Sequence, residues 1–269
     1  MTLNDWPSSI REINKLPEAE KHGIYRNLLP DWLSDQDNEF DHQPSPPHGN
    51  HNDRQIIFRC PQGSRALEIS VKRRAVDMDP MLYLNMADTF NGQLLVLLVV
   101  VNDPDSPRFN TDVDQHGNST HFGTVSRNKP AERAAMKAGL SPGQIRKGLR
   151  AFKNTLPLFE SFVSRMGHDI FFIEPLAYHN AITFERYGFN YLRGRSEMLN
   201  IHKEFQPGSP LFNALTEDNP FRQPDAWKTV RGRSWAIHDG ILGHPFTGFQ
   251  MYKRVGLDAE INTFPDAIW

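Results

Sequence analysis

A helix-length apolar repeat followed directly by a buried-strand pattern constrains the fold of this chain most strongly. Between Ser141 and Gly167, apolar residues recur every three or four positions and form one face of a helix. Ser141-Pro142 is a helix start signal, Gly167 suits a helix end, and Pro157 predicts a kink or a break. Residues 169–174, DIFFIE, then predict a short buried strand. The repeat consists of Ile145, Leu149, Phe152, Leu156, Phe159, Val163 and Met166.

The flanking segments predict further strands and helices. Residues 54–60 and 66–73 alternate apolar and polar positions, which predicts a hairpin with one buried face. Residues 93–101 are almost continuously apolar, so we expect a central strand covered on both faces. The other predicted strands are 81–89, one opening at Gly188-Phe189, and 249–255. The other predicted helices are one or two within 7–33, then 130–140, 178–187 and 195–205.

Composition excludes several classes of protein. The 269 residues carry a net charge of −2, which does not indicate a nucleic-acid binder. One cysteine, Cys60, excludes an internal disulfide framework and indicates a reducing compartment. The longest apolar run, 94–101, is far shorter than the roughly 20 residues of a membrane span. The start of the chain lacks a signal-peptide pattern. We therefore expect a cytoplasmic protein without a membrane partner.

A later group of residues carries a resemblance to a known family. A strand, a loop with Asn and Ala, an aromatic-Glu-Arg segment and Gly-Phe follow one another, and a Met-x-Lys strand closes the chain. This pattern resembles the late core of the GNAT-superfamily N-acyltransferases, and the order of predicted elements over residues 54–255 resembles that family's order. The matching residues are Asn180, Ala181, Phe184, Glu185, Arg186, Gly188 and Phe189.

The resemblance implies an α/β fold, in which helices flank a mixed and mostly antiparallel sheet. It implies an acyltransferase domain at 54–256 with insertions at 102–140 and 195–248, a helical and polar extension at 1–53, and a tail at 257–269. Three features depart from the family. The spacing from Asn180 to Gly188 is short, Phe184 stands where a tyrosine acid is common, and the pyrophosphate signature is not met.

The resemblance further implies acetyl-CoA or another acyl-CoA as substrate and a small-molecule or peptide amine as acceptor, and it leaves a homodimer open. The expected cofactor site combines a helix N-terminus, which favours phosphate, with the backbone of the central strand. An ordinary capped helix with a basic face is the alternative. The candidate cofactor residues are Val99, Val101, Gln144, Ile145, Arg146, Lys147, Gly148, Asn180 and Phe184.

Acyl transfer to an amine needs a base for the ammonium and an acid for the leaving thiolate. Glu174, at a strand end beside apolar residues, is a candidate base whose pKa desolvation would raise, or else a turn cap. Tyr178 and Tyr187 are candidate acids or packing residues. His179 is a second candidate base or part of a pocket wall.

Two other functions stay open. The first is a non-catalytic protein of the same fold, and the second is a metal-dependent hydrolase or oxygenase, although no recognised ligand spacing is present and no metal is expected. His42, His48 and His51 lie in a polar tract that is either a flexible linker or a metal site. A dense Arg, Trp and His cluster at 229–243 is either an anionic acceptor site or a packed loop.

Overall fold

The computed structural model describes residues 6–34, 55–121, 125–149 and 151–269. The fold is mixed α/β, and the described strands belong to an open seven-stranded mixed sheet in the order β1-β2-β3-β4-β5-β7-β6, flanked by helices. The strands are β1 (Gln55–Arg59), β2 (Ala66–Lys72), β3 (Leu82–Asp88), β4 (Leu94–Val101), β5 (Ile170–Ile173), β6 (Asn190–Arg193) and β7 (Gln250–Arg254). His42, His48 and His51 lie outside the described residues.

The helices among the described residues are mostly short, and two 3-10 turns, Arg26–Leu28 and Ala226–Lys228, accompany them. They are α1 (Ile10–Ile13), α2 (Glu18–Tyr25), α3 (Asp31–Ser34), α4 (Lys129–Lys137), α5 (Phe152–Arg165), α6 (Tyr178–Arg186), α7 (Arg195–Glu204), α8 (Pro210–Asn213) and α9 (Val230–His238). Within this described part, no helix combines the length and the apolar character that crossing a membrane requires.

The chain divides into two compact units. Unit 1 comprises Met1–Pro104 and Gly148–Phe172, and unit 2 comprises Asp105–Lys147 and Ile173–Trp269. Unit 1 holds the antiparallel strands β1 to β4, with β5 next to β4, and helices α1 to α3 and α5. Unit 2 holds the antiparallel pair β6 and β7 and the remaining helices.

Buried polar contacts fix the N-terminal helices of unit 1 onto its antiparallel strands. The carboxylate of Asp88, at the end of β3, accepts hydrogen bonds from the backbone N–H groups of Ile10 and Arg11 at 2.9 and 2.8 Å. The Asn14 amide donates to the carbonyls of Ser64 and Ala66, in and after the β1–β2 turn, at 2.9 and 3.0 Å. These contacts give the predicted short N-terminal helices a defined place in unit 1, because α1 could not persist alone at four residues.

Strand β4 departs from the expectation that both its faces are covered. Asn85 pairs with Leu98 and Met86 pairs with Val96, so Leu97 is an extra residue without a partner in the register with β3. Leu97 is 38% exposed, and the residues after it are only half-buried. The expectation of full burial is therefore wrong for the second half of β4, where a β-bulge interrupts the ladder and bends the strand.

Helix α5 begins later than the sequence pattern predicts. Ser141-Pro142-Gly143-Gln144 forms a tight turn, with the Gln144 N–H donating to the Ser141 carbonyl at 3.2 Å and Gly143 at a φ of +78°. Pro followed by Gly at a positive φ is the type II turn pattern, and a positive φ cannot continue into a helix. The predicted helix start at Ser141-Pro142 is therefore wrong, and α5 starts at Phe152.

The end of α5 agrees with the sequence. Gly167 has a φ of +82°, its N–H donates to the Ser164 carbonyl, and the His168 N–H donates to the Val163 carbonyl. This is a Schellman ending, which Gly favours because it lacks a Cβ. The predicted break at Pro157 is absent, since the helix continues through it.

Unit 2 contains a helix in the dense cluster for which we expected an acceptor site or a loop. Thr229 caps α9, its side chain accepting a hydrogen bond from the Gly232 N–H at 2.9 Å. A Cβ on Gly232 would lie 2.5 Å from the Ala226 carbonyl oxygen, so the preceding 3-10 turn packs directly on the first turn of α9. Helix α9 is buried along most of its length and includes the buried residues Arg233, Ser234 and Trp235.

The predicted helix at 178–187 is confirmed as α6.

Candidate functional site

The end of β4 in unit 1 is approached very closely by the chain that leads into α5. A Cβ on Gly148 would lie 3.3 Å from the carbonyl oxygen of Val101, the last residue of β4, so a larger residue would press on the strand. Val99 and Val101 are half-buried and pair in register with Leu84 and Leu82. Of the predicted cofactor residues, these three therefore lie in unit 1, with Gly148 beside the end of the bulged strand.

The first turn of α5 carries uncompensated positive charge. Its N-cap residue, Ala151, makes no side-chain capping bond, and the first turn contains no acidic residue. The N–H groups of Asn154 and Thr155 both donate to the Ala151 carbonyl, at 2.9 and 3.0 Å. Exposed Lys153 adds a cation at the helix end where the dipole already favours an anion. Sequence reasoning missed Lys153 because it placed the helix start ten residues too early.

The stretch from Gln144 to Lys147 in unit 2 does not form a helix N-terminus. The Gln144 carbonyl accepts from the Thr111 hydroxyl at 3.0 Å, and the Ile145 carbonyl accepts from the Phe109 N–H at 2.8 Å. Arg146 donates to the Ser106 carbonyl, and the Lys147 N–H donates to the Ser106 hydroxyl at 3.1 Å. These groups tie the two ends of the inserted segment together, so this stretch is not the helix start on which its expected phosphate-binding role depended.

Glu174 and Tyr187 are the two candidate catalytic residues whose side chains are at least partly exposed. Glu174, directly after β5, is exposed, so the burial on which its expected role as a desolvated base depended is absent. Tyr187 is half-buried at the C-terminal end of α6. Phe184 is also half-buried and lies with its ring centroid 5.3 Å from that of Phe189, which is a packing contact of the α6–β6 corner.

His179 lies at the buried contact between α6 and α9. Its Nδ1 atom is 2.8 Å from the hydroxyl of Ser234, and its Nε2 atom is 3.3 Å from the amide nitrogen of Asn180. Burial, with the nearby charges of His238 and Arg231, lowers the pKa of His179 to about 3. The imidazole is therefore neutral at physiological pH, and with 7% of His179 and 1% of Ser234 exposed, a substrate cannot reach either group in this conformation.

Tyr178 and Arg233, the residues immediately before His179 and Ser234, form a second buried polar contact. Burial raises the pKa of Tyr178 to about 12, and the adjacent guanidinium of Arg233 opposes that rise. Neither the Tyr178 hydroxyl nor the Nη2 atom of Arg233 completes a hydrogen bond of good geometry with a described residue. Arg233 instead donates from Nε to the Trp227 carbonyl at 2.7 Å and lies 3.5 Å from the centroid of the Phe264 ring.

No family model, curated protein or solved structure matches the chain. The similarity to the GNAT superfamily therefore depends on the residues and the order of elements described above.

A carboxylate network accounts for much of the dense cluster at the end of α9. Asp239 accepts from Arg127 at 2.6 Å, from Asn219 at 2.8 Å and from Arg222 at 2.8 Å. Burial would raise the pKa of Asp239, but the hydrogen bonds from Arg127 and Asn219 and the charges of Arg127 and Arg222 outweigh it and lower that pKa. This network is satisfied internally, so it is a structural element of unit 2 and not an open acceptor site.

Glu132 on α4 belongs to the same network. It accepts from Arg127 at 2.5 Å and lies 3.0 Å from the Nε2 atom of His238. Burial would raise the pKa of Glu132, whereas the hydrogen bonds from His238 and Arg127 lower it more strongly. Sequence reasoning missed Glu132 and Arg127, because nothing in their local pattern indicates a contact with residues more than 100 positions away.

One group of potential metal ligands occurs in the described part of the chain, in unit 1. Ligand atoms of Glu18, His22 and Cys60 lie within 4.8 Å of one another. The ammonium of Lys21, however, lies 2.6 Å from Glu18 and donates to the Cys60 carbonyl at 3.0 Å. A lysine cation beside the group opposes the binding of a second cation, so we assign no metal to it.

Proposed function

We propose that this chain is an acyl-CoA-dependent N-acyltransferase of the GNAT type, which transfers an acyl group to an amine. The observation that carries the proposal is the bulged end of β4 in unit 1, with Gly148 against it and the uncapped start of α5 following. The order of elements supports it: antiparallel strands β1 to β4 are followed by α5, β5, α6, β6 and β7, as the resemblance implies.

The bulge supports a role of β4 in binding the amide-containing arm of an acyl-CoA. An inserted residue leaves ladder groups unpaired and bends its strand, and such bulges are common next to active sites. Leu97 is the inserted residue, and the half-buried valines Val99 to Val101 follow it. Because Val99 and Val101 pair with β3, the backbone at the inserted Leu97 is the part of β4 that we propose for an extended arm with hydrogen-bonding amides.

The start of α5 supports a role in binding the pyrophosphate. The helix dipole favours an anion there, and Lys153 would add a charge-assisted contact. Gly148, three residues before the N-cap, allows close approach of the chain to β4. This assignment replaces the stretch from Gln144 to Lys147, whose backbone groups are largely occupied by contacts within the insertion.

For the chemistry, the accessible candidates are Glu174 and Tyr187. Glu174 and Tyr187, both in unit 2, stay the predicted base for the acceptor ammonium and the predicted acid for the leaving thiolate. Tyr178 and His179 are unsuited to these roles because both side chains are buried, the first protonated and the second neutral at pH 7.

The test is a titration of acetyl-CoA and longer acyl-CoAs by calorimetry, together with release of free thiol in the presence of a panel of amines. Lys153→Gln should weaken acyl-CoA binding by roughly 3- to 10-fold, since one charge-assisted contact is lost, whereas Lys203→Gln on α7 should not. Glu174→Gln should lower turnover by roughly 100-fold or more without changing acyl-CoA binding, whereas Glu217→Gln should leave both unchanged.

The main alternative is a non-catalytic protein on the same fold. The unmet pyrophosphate signature and the burial of Tyr178 and His179 favour it. Acyl-CoA binding that depends on Lys153, without turnover on any amine of the panel, would select this alternative. Elemental analysis of the purified protein tests the metal-dependent alternative separately.

A further inference from the structure

Unit 2 contains a small cavity that the proposed acyl transfer does not use. Its volume is about 220 Å³, below the roughly 300–1,000 Å³ of sites for drug-sized ligands. It would therefore hold a molecule of about a dozen heavy atoms. The lining comes from α4, the chain before α9, α9 itself and the last residue, and it includes Phe221, Asp225, Arg231, Trp235 and Trp269.

The apolar side of the cavity consists mainly of aromatic rings held in fixed positions. The rings of Phe221 and Trp235 lie with their centroids 5.5 Å apart, and the Trp235 indole N–H donates to the Leu140 carbonyl at 2.9 Å. Trp269 contributes a third ring and lies under the guanidinium of Arg186 at 4.5 Å. Rigid aromatic walls of this kind favour a flat apolar group on the ligand.

The polar side of the cavity holds the guanidinium of Arg231. The Nε atom of Arg231 is buried and has no hydrogen-bond partner among the residues that the structure describes. By contrast, Arg127 and Arg222 both donate to Asp239. A buried donor that lacks an acceptor is costly, and the planar fork of arginine matches a carboxylate. The cavity therefore favours a ligand with a carboxylate.

A free carboxylate also lines the cavity. Asp225 is exposed and makes no side-chain hydrogen bond or ion pair with another described residue, whereas the amide nitrogen of the neighbouring Gln223 donates to the carbonyls of Glu217 and Asn219. A guanidinium and a carboxylate on one small cavity are complementary to a ligand that carries both charges. We propose that the cavity binds a free α-amino acid with an aromatic side chain, its carboxylate on Arg231 and its ammonium on Asp225.

This inference does not depend on acyl-CoA binding, and three probes test it by calorimetry on the full chain. L-phenylalanine carries both charges, 3-phenylpropanoate carries only the carboxylate, and 2-phenylethylamine carries only the ammonium. Phenylalanine should bind most tightly and phenylethylamine most weakly. Arg231→Gln should weaken phenylalanine binding by at least about tenfold. Asp225→Asn should weaken phenylalanine binding but not phenylpropanoate binding, and the exposed Arg195→Gln should change neither.

Several outcomes would overturn the proposal. One is the absence of saturable phenylalanine binding up to about 10 mM, which is weaker than a millimolar site. Another is unchanged affinity in a folded Arg231→Gln variant, which would show that Arg231 does not bind the ligand carboxylate. If Arg231→Gln does not fold, Asp225→Asn and the ranking of the three probes decide: equal binding of phenylalanine and phenylpropanoate contradicts an amino-acid site.

Discussion

The Nη1 atom of Arg127 donates a 2.6 Å hydrogen bond to Oδ1 of Asp239, which joins two residues 112 positions apart within unit 2. The same guanidinium donates to Glu132, so one cation serves two buried carboxylates. Removing one partner of a buried pair leaves an uncompensated charge, which makes Arg127 the critical member.

We therefore expect Arg127→Ala to lower the free energy of unfolding by roughly 3–5 kcal/mol. Arg133→Ala, at an exposed position of α4, should change it by no more than about 0.5 kcal/mol. Urea denaturation followed by tryptophan fluorescence measures both. Similar small effects for the two variants would mean that the network contributes little to stability.

The buried imidazole of His179 predicts a stability that depends on pH in the mildly acidic range. Its folded pKa of about 3 lies below the ordinary value of 6.5, so the unfolded chain takes up this proton first as the pH falls. The contribution of neutral His179 to the free energy of unfolding should thus be fully present above pH 6.5. It should decline as the pH falls from there toward 3, by up to about 1.4 kcal/mol per pH unit.

The matched variant is His179→Gln, which keeps a polar group near Ser234 but cannot titrate. Urea midpoints at pH 7, 6 and 5 should fall less steeply for this variant than for the natural chain. Parallel curves for the two proteins would show that His179 is not the titrating group.

Replacing glycine by alanine should lower the stability of the protein at one position and raise it at another. A Cβ on Gly232 meets the backbone of Ala226 at 2.5 and 2.7 Å, whereas a Cβ on Gly23 in α2 meets nothing within 4 Å. Gly232→Ala should therefore destabilise the protein by roughly 1–3 kcal/mol through overpacking. Gly23→Ala should stabilise it by about 0.5–1 kcal/mol because Ala favours the helix. Thermal melts of the two variants check the signs, and a Gly232→Ala variant that melts no lower than the natural chain would refute the packing of the 3-10 turn on α9.

Short-range sequence patterns were enough to predict many of the strands and helices. The alternation over β1 and β2, helix α6 and the Gly167 ending of α5 all follow from short-range patterns. Each of these elements is stabilised by neighbours in sequence or by one buried face, which is the information that periodicity carries.

Local chemistry failed where distant contacts decide the structure. The segment from Ser141 to Lys147 satisfies the rules for a helix start, yet Ser106, Phe109 and Thr111 hold it in an irregular form. Thr229 could have indicated α9 as a capping residue, but Gly232 in the first turn weakened that signal. The bulge at Leu97 depends on pairing with β3, and an apolar run carries no register.

Calorimetry with acetyl-CoA tests the proposal that unit 1 binds an acyl-CoA at the end of β4 and the start of α5. We expect saturable binding that weakens with rising salt, because it involves a phosphate anion and Lys153. It should weaken again in Lys153→Gln but not in Lys203→Gln. The absence of a heat of binding at millimolar acetyl-CoA would contradict an acyl-CoA site in unit 1. An affinity that depends neither on salt nor on Lys153 would also contradict it.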